Sequence, residues 1–157
     1  MNEVAKSSAP EVTEHLARQQ CSRQWRHFLH ALAAEFAAAL PPADLRTLSQ
    51  RIGQRFANEL PLQPQPTLEG LEGQLSALWR ELDWGWVQLS QQGAQLEIRH
   101  FCSPLTAAFG ASGVEWAAGF LEGAYQHWFD QQGAPGLKVA QSTETDAWGC
   151  VSFRLGR

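Results

Sequence analysis

The sequence predicts an α+β domain in which helices pack on a four-stranded, mainly antiparallel sheet, with elements in the order ααα-ββ-α-ββ. Three observations support this prediction. Between residues 22 and 82, apolar side chains recur every three or four positions, which is the spacing of one helix face. Beyond Gly85 the apolar period falls to two, as in strands. A second helical segment and a second alternating segment then follow, so the helices and strands share one domain.

The three N-terminal helices are bounded by cap and breaker residues. Helix one covers residues 22–40 and ends before Pro41, and Pro42 opens helix two, whose arginines lie mostly away from its apolar face. A Pro-rich linker at 61–67 separates helix two from helix three. Thr67 is placed to cap helix three, which is expected to end at Asp83.

The remaining elements are two hairpins with a helix between them. The first hairpin turns at the QQGA segment, 91–94. A Gly-rich loop, 109–113, is expected to lead into helix four, which carries a broad apolar stripe over 114–129. The second hairpin is predicted from strands at 137–143 and 148–155, joined by the polar TETD segment.

Composition limits the number of domains and the class of partner. The chain has 157 residues, which is close to the modal size of one domain. Residues 1–21 are polar and predict a flexible N-terminal arm, followed by a single domain over 22–157. The net charge of −4 and the scattered Lys and Arg side chains do not favour nucleic acid as a partner. Because no apolar run is long enough to cross a bilayer, we expect a cytoplasmic protein without direct membrane insertion.

The residues that usually carry chemistry form no recognisable active site. Cys21, Cys102 and Cys150 are expected to be reduced, largely buried thiols. The histidines show no metal-ligand spacing, and the sequence lacks phosphate-binding and nucleophile motifs. Nor does any pair of carboxylates stand out as a glycosidase pair. We therefore expect no metal, no cofactor and no catalytic residue.

Three segments resemble one family in the same order along the chain. The first is an L-x-x-x-L-x-A-L run followed by W-G-x-V-x-L, the second is L-x-I-x-H-x-x-x-P, and the third is L-E-G-x-Y-x-x-W. Together they cover about residues 68–130 and resemble the D subunit of bacterial cellulose synthase. The matching positions are Leu71, Leu75, Ala77, Leu78, Trp84, Gly85, Val87, Leu89, Leu96, Ile98, His100, Pro104, Leu121, Glu122, Gly123, Tyr125 and Trp128.

The resemblance implies a non-catalytic accessory subunit that forms a ring-shaped homo-oligomer, an octamer in the family. Such a ring would guide glucan chains, or organise synthase complexes so that crystalline cellulose is exported. The implied partners are other cellulose synthase subunits, a Pro-rich accessory protein and possible glucan chains. In the family the N-terminal segments line the passages for glucan, but this chain carries a longer arm without Trp, Tyr or Phe in residues 1–20. This absence favours the scaffold function over the guide function.

A second resemblance supports an alternative function. The sequence of hairpin, loop, Gly-containing helix and terminal hairpin near WGCVSF is similar to the small-molecule-binding domain of four-vinyl-reductase type. It implies a cytosolic regulatory domain with a ligand pocket under the second hairpin. This likeness lies in the fold alone and does not by itself assign a function. The mass of the protein in solution distinguishes the two hypotheses, because a ring contains about eight subunits and a sensor one or two.

Trp84 and Trp86 flank Gly85, and their indole rings suggest a function in sugar binding. If both lie in the strand, their side chains point to opposite faces, so at most one faces a ligand. We expect Trp84 to fill the core where helix three meets the sheet, because Gly85 allows a sharp turn there. Trp86 is the candidate for an exposed or subunit-facing ring, and exposed Trp25 is a second candidate for binding a partner.

The remaining candidates lie on one strand and on helix four. Gly119 and Gly123 leave one strip of the helix without side chains and predict a close approach to another backbone. Glu122, beside them, is expected either on a solvated face or bonded to an Arg of a neighbouring subunit. His100 is expected to anchor a loop or to contact another subunit. Tyr125 and Trp128 complete the family motif as structural residues.

Overall fold

The computed structural model describes residues 4–157, with the side chains of residues 10–157. It confirms the α+β class. The helices and strands have these bounds: α1 Val4–Gln19, α2 Arg23–Ala39, α3 Pro42–Glu59, α4 Leu68–Glu81, β1 Trp86–Gln92, β2 Gln95–Phe101, α5 Leu105–Ala117, α6 Gly119–Gln131, β3 Lys138–Gln141 and β4 Val151–Gly156.

The four strands form one antiparallel sheet in the order β1-β2-β4-β3. The turn of the first hairpin brings Gln92 opposite Gln95, as the QQGA segment predicted. One sheet face carries the core side chains, among them Val87, Ile98 and Phe153, which are almost fully buried. Since α6 packs between α3 and the sheet, the layers follow one another as helix, helix and sheet.

The N-terminal segment differs from the expected arm. Residues 4–19 form α1, whereas the sequence showed no sustained helical period there. Ala17 is 8 % exposed and Cys21, just beyond the helix, is also 8 % exposed, so the end of this segment packs on the domain. A tertiary contact with α5 accounts for the helix where local periodicity did not. The domain boundary near residue 21 stays a prediction.

Helix four is two helices rather than one, and the expected loop at 109–113 is not a loop. Residues 105–117 form α5, with a kink at Gly110, whose φ of 75° lies in the left-handed region. Ala118 separates α5 from α6. Glycine tolerates this φ without steric cost, which explains why the chain bends there and remains helical on both sides.

The strands of the second hairpin are shorter than predicted. Between β3 and β4 the chain forms a turn closed by Gly149, whose N–H donates to the Asp146 carbonyl at 3.0 Å. The Asp146 carboxylate accepts hydrogen bonds from the N–H groups of Trp148 and Cys150, both at 2.9 Å. These local bonds compete with the sheet and end the strands early.

Candidate interaction surface

Trp79 is the centre of an aromatic cluster that joins α4, α6 and the sheet. Its side chain is fully buried, stacks on Trp84 with ring centroids 5.7 Å apart, and meets Trp128 edge to face at 5.5 Å. Sequence reasoning missed Trp79, although Leu71, Leu75 and Trp79 follow one another at steps of four. Trp79 and Trp128 are part of the core, so their rings are not available to a ligand.

Trp84 and Gly85 form the corner between α4 and β1. Trp84 is half-buried against Trp79 and Phe120, as expected for a residue that fills the core at this corner. Gly85 has a φ of 79°, and a Cβ there would lie 1.7 Å from the Phe101 carbonyl oxygen. No other residue fits this corner, because both the φ and the close approach exclude a side chain.

His100 lies inside the chain and not on its surface. Its Nε2 lies 2.7 Å from the Trp84 carbonyl oxygen, and its Nδ1 lies 2.6 Å from the Tyr125 hydroxyl. A carbonyl only accepts, so Nε2 carries the proton and Nδ1 accepts the hydrogen bond from Tyr125. Burial lowers the pKa of His100 to about 4, although the Trp84 carbonyl opposes this shift. His100 is thus a neutral connector that holds the corner against α6.

Burial also shifts the pKa of Tyr125, the hydrogen-bond partner of His100. Burial raises the pKa of the Tyr125 hydroxyl, so the phenol stays protonated and acts as the donor to His100. Trp128, one turn further along α6, donates from its indole N–H to the Leu60 carbonyl at 3.0 Å. Tyr125 and Trp128 therefore fix α6 to the sheet corner and to the end of α3.

Glu122 is a buried carboxylate that bonds to Arg46, Gln50 and the Gln141 backbone of its own chain. It is 9 % exposed, and its Oε2 lies 2.9 Å from Nη2 of Arg46 on α3. The same oxygen accepts the Gln141 backbone N–H at 2.8 Å, and Oε1 accepts a hydrogen bond from Gln50. Arg46 also donates to the Glu115 carbonyl at 2.8 Å. This network satisfies a buried carboxylate, and it links α3, α6 and β3.

Gly119 and Gly123 allow α3 and α6 to touch at their backbones. A Cβ at Gly123 would lie 2.0 Å from the Gln50 carbonyl oxygen, and one at Gly119 would lie 2.9 Å from that of Arg46. Gly53 on α3 makes the reciprocal contact with α6, since its Cβ would lie 1.9 Å from the Phe120 carbonyl oxygen. The close approach predicted for the two α6 glycines therefore occurs inside one chain.

Trp86 lies on the outer face of the sheet, and its ring already has neighbours. It stacks on Phe101 of β2 with centroids 5.3 Å apart and an interplanar angle of 7°. The Arg80 guanidinium lies 5.8 Å from the Trp86 centroid, and that of Arg99 lies 4.8 Å from the Phe101 centroid. A sugar ring would have to displace part of this row of stacked groups. We call these four side chains the Arg-aromatic row.

The outer edge of β1 is blocked by side chains of α4. Ser76 accepts a hydrogen bond from the Val87 N–H at 3.1 Å and donates to the Val87 carbonyl at 2.9 Å. Glu72 accepts from the Leu89 N–H at 2.7 Å. Both backbone groups of Val87 and the N–H of Leu89 are therefore occupied, so an incoming strand would have to displace these side chains.

The outer edge of β3 is blocked in the same way by α6. Gln126 accepts a hydrogen bond from the Val139 N–H, and Glu122 accepts one from the Gln141 N–H, both at 2.8 Å. Both edge strands of the sheet are thus capped by helix side chains. These side-chain bonds disfavour strand addition at either edge of the sheet.

The helical side of the domain exposes large apolar side chains. Trp25 and Phe28 on α2 are 55 % and 56 % exposed, and their rings meet edge to face at 5.9 Å. Other large apolar side chains with substantial exposure are Val12, Leu16, Leu40, Ile52 and Leu82. Of these side chains, Trp25 and Phe28 form a contiguous exposed pair, and contiguous exposed apolar surface often marks a site that binds protein. We call Trp25 and Phe28 the α2 aromatic pair.

An apolar cavity of about 430 Å³ lies beside the α2 aromatic pair. Its walls come from α2, α3, α5 and the corner at Trp84, and they include Trp25, Leu32, Ile52 and Trp116. None of its lining residues comes from the second hairpin, where the ligand-binding hypothesis placed its pocket. A separate cavity of about 660 Å³ does lie at that hairpin, lined by Arg46, Glu122 and residues 140–145. The apolar cavity beside the α2 aromatic pair therefore extends the exposed apolar surface of the helical side.

Neither a metal site nor a membrane span is found in the part of the chain that the structure describes. Across residues 4–157, no group of three or more His, Cys, Asp or Glu side chains is arranged to hold a metal ion. Over the same residues, no helix has the length and apolar character needed to span a membrane.

Comparison with known proteins identifies a family. The family model described as the D subunit of cellulose synthase matches residues 11–156, almost the whole chain. No curated protein matches the sequence significantly.

Proposed function

Because the chain belongs to the family of cellulose synthase D subunits and so has a role in bacterial cellulose synthesis, we propose that it is a non-catalytic accessory subunit. In this proposal the chain forms a ring-shaped homo-oligomer, with an octamer as the family-implied size. The ring organises synthase complexes on the cytoplasmic side of the membrane, so that their glucan chains leave together as crystalline cellulose.

The observation that carries the proposal is the contrast between the two sides of the domain. The sheet edges are capped by Ser76, Glu72, Gln126 and Glu122, whereas the helical side exposes the α2 aromatic pair. A subunit built in this way associates through helices. Exposed aromatic residues next to an apolar cavity supply the kind of anchor that dominates stable interfaces.

The absence of a catalytic function rests on the use of the buried polar groups. His100 is held neutral between Tyr125 and Trp84, and Glu122 is fully bonded to Arg46, Gln50 and the Gln141 backbone. A general acid or base needs a proton-accepting or proton-donating atom that faces substrate. These groups have their hydrogen-bonding capacity directed into the protein, so they act as connectors.

The partner side of the proposal assigns a function to the Arg-aromatic row. Trp86 and Phe101 present ring edges between two guanidinium groups on the outer face of the sheet. Aromatic grooves with flanking polar groups suit extended Pro-rich segments, which bind with little loss of entropy. A Pro-rich accessory protein is therefore the partner that we propose for this face. We assign contact with glucan to neither Trp84 nor Trp86.

The test combines mass with cellulose output. We expect multi-angle light scattering of the purified full chain to give a mass near eight subunits. We also expect cells that lack their own D subunit to recover ordered cellulose when they express this chain. A monomeric or dimeric mass at micromolar concentration would contradict the ring and favour the small-molecule-binding alternative. If sugar were released from cello-oligosaccharides, and this activity co-eluted with the protein in chromatography, the proposal of a non-catalytic subunit would be contradicted.

A further inference from the structure

Two of the three cysteines lie side by side where strands β2 and β4 diverge. Cys102 follows β2 and Cys150 precedes β4, and the Cys102 backbone N–H donates to the Cys150 Sγ at an N–S distance of 3.4 Å. Because N and Cβ of Cys102 are bonded to the same Cα, this contact places the Cys150 sulfur within reach of the Cys102 side chain.

A bulge in the β2–β4 ladder creates this arrangement. The last regular pair joins His100 to Val151, and the next backbone bond runs from the Ser103 N–H to the Gly149 carbonyl at 3.1 Å. One extra residue therefore lies on the β2 side. Cys102 occupies this bulge with a φ of 57°, which is uncommon for a residue other than glycine.

The backbone on both sides of the cysteine pair is held in place. Ser103 donates from its hydroxyl to the Gly149 carbonyl at 2.7 Å, and a Cβ at Gly149 would lie 1.8 Å from the Ser103 carbonyl oxygen. The Cys150 N–H donates to Asp146 at 2.9 Å. Neighbouring strands lie about 4.7 to 4.9 Å apart, so residues at adjacent positions across them can meet the Cα separation of about 4.4 to 6.8 Å found for disulfides.

Small reagents can reach this pair from solvent. Cys102 and Cys150 are both half-buried, and Cys150 lines an open cavity together with Glu97, Arg99 and Asp146. Cys21, by contrast, is buried where α1 ends. The chain therefore contains two neighbouring, reachable thiols and one internal control thiol.

We propose that Cys102 and Cys150 form a reversible intrachain disulfide when the protein meets a low-molecular-weight disulfide such as oxidised glutathione. The Cys102 thiolate attacks one glutathione sulfur, which forms a mixed disulfide and releases one glutathione thiolate. The Cys150 thiolate then attacks the Cys102 sulfur, and the second glutathione thiolate leaves. The cysteines lose two protons and two electrons, and the glutathione disulfide is reduced to two thiols.

The order of attack follows from the surroundings of Cys150. Burial raises the pKa of the Cys150 thiol and the carboxylate of Asp146 acts in the same direction, whereas the hydrogen bond from the Cys102 N–H opposes them. Cys150 is suited to the second, intramolecular step, where proximity compensates for a low thiolate fraction.

Oxidation would tie the end of β2 to the start of β4. The bond closes a loop that contains α5, α6 and β3, and it adjoins Phe101 of the Arg-aromatic row. A crosslink of this kind restricts the unfolded chain, so the oxidised form should melt at a higher temperature than the reduced form. The pair thus makes the stability of the sheet, and with it the partner face, responsive to the thiol–disulfide balance.

The test uses the full chain, first reduced and freed of reductant, then incubated with oxidised glutathione. Remaining thiols are alkylated in denaturant and peptides are analysed by mass spectrometry. In the parent protein we expect a Cys102–Cys150 crosslink within one chain and alkylation of Cys21 alone. Cys21→Ser should keep the crosslink. Cys150→Ser should accumulate glutathione on Cys102, whereas Cys102→Ser should show little glutathione on Cys150.

Three results would overturn the proposal. The first is alkylation of Cys102 and Cys150 in the treated parent protein, and the second is a stable glutathione adduct there in place of the crosslink. The third is a disulfide between chains, seen as a dimer on a non-reducing gel. Because the readout on the parent protein needs no variant, poor folding of a serine variant does not affect this decision.

Discussion

Arg46 on α3 and Glu122 on α6 form an ion pair with an Nη2–Oε2 distance of 2.9 Å, and the same carboxylate oxygen accepts the backbone N–H of edge strand β3. One side chain thus joins two helices to the sheet. Its partner Arg46 is about a third exposed, so the pair is screened in part by solvent.

We expect Glu122→Ala to lower the free energy of unfolding by about 1 to 3 kcal/mol, because it leaves Arg46, Gln50 and the Gln141 N–H without their acceptor. Urea denaturation measures this change. Glu115→Ala, in an exposed position of α5, is the matched control and should change the free energy by less than about 0.5 kcal/mol. Equal effects of the two substitutions would show that the network adds no stability.

Gly123→Ala tests the backbone contact between α3 and α6. The new Cβ would lie 2.0 Å from the Gln50 carbonyl oxygen, so the helices must separate, at a typical cost of about 1 to 3 kcal/mol. Gly73→Ala is the control: it lies on α4 with nothing within 4 Å, and it should stabilise by about 0.5 to 1 kcal/mol. A thermal melt in which both variants rise together would contradict the close approach.

His100 predicts a specific pH dependence of stability. Its pKa in the folded state is about 4, below the ordinary value of 6.5, so the unfolded chain binds the proton more readily. The stability contributed by neutral His100 is complete above about pH 6.5 and is lost as the pH falls to about 4, by about 1.4 kcal/mol per pH unit. Below about pH 4 His100 is protonated in both the folded and the unfolded chain, so it no longer changes the free energy of unfolding with pH.

The measurement is urea denaturation at several pH values between 4 and 7. His100→Gln should remove the part of the slope that His100 contributes, while also lowering stability at neutral pH through the loss of the bond to Tyr125. His27→Gln, exposed on α2, serves as the control and should retain the parent slope. An unchanged slope in His100→Gln would mean that another group titrates.

The α2 aromatic pair is expected to hold the ring together. Replacing Trp25 and Phe28 by Ser should reduce the mass in light scattering to a dimer or monomer, since central aromatic residues often contribute about 2 kcal/mol or more each to an interface. The melting temperature of the monomeric unit should be kept, because both side chains are more than half exposed. Leu82→Ser, which removes an exposed apolar side chain elsewhere, should leave the mass unchanged. If the double variant kept the mass of the parent, the subunit interface would not depend on the α2 aromatic pair.

The N-terminal arm and Trp86 distinguish scaffold from guide. Deleting residues 1–20 should leave the ring assembled and lower cellulose output only modestly, because this segment contains no aromatic ring to stack on glucan. Trp86→Ala should also keep the ring but weaken the capture of a Pro-rich partner. Cellulose output and fibre order are compared at matched protein levels. If the deletion abolished ordered cellulose while Trp86→Ala behaved like the parent, the chain would act as a guide.

The order of the elements was accessible from the sequence because it depends on local signals. Pro41 and Pro42 mark one helix boundary, Thr67 caps α4 and accepts the Gly70 N–H at 3.0 Å, and the period of two after Gly85 marks the first hairpin. Each of these signals acts through neighbouring residues along the chain. Local sequence therefore determined the α+β class and the boundaries of α2, α3 and α4, whereas α1 and the division between α5 and α6 were not predicted.

The contacts of the polar and small residues were decided by the tertiary structure. The sequence singled out Glu122, Gly123 and His100, but it did not show that their partners, Arg46, Gln50 and Tyr125, belong to the same chain. Such contacts depend on which helix faces meet after folding, and a period of 3.6 does not specify them. For the same reason the sequence left open which surfaces remain free, and only the tertiary structure shows that helix side chains bond to the edge strands of the sheet.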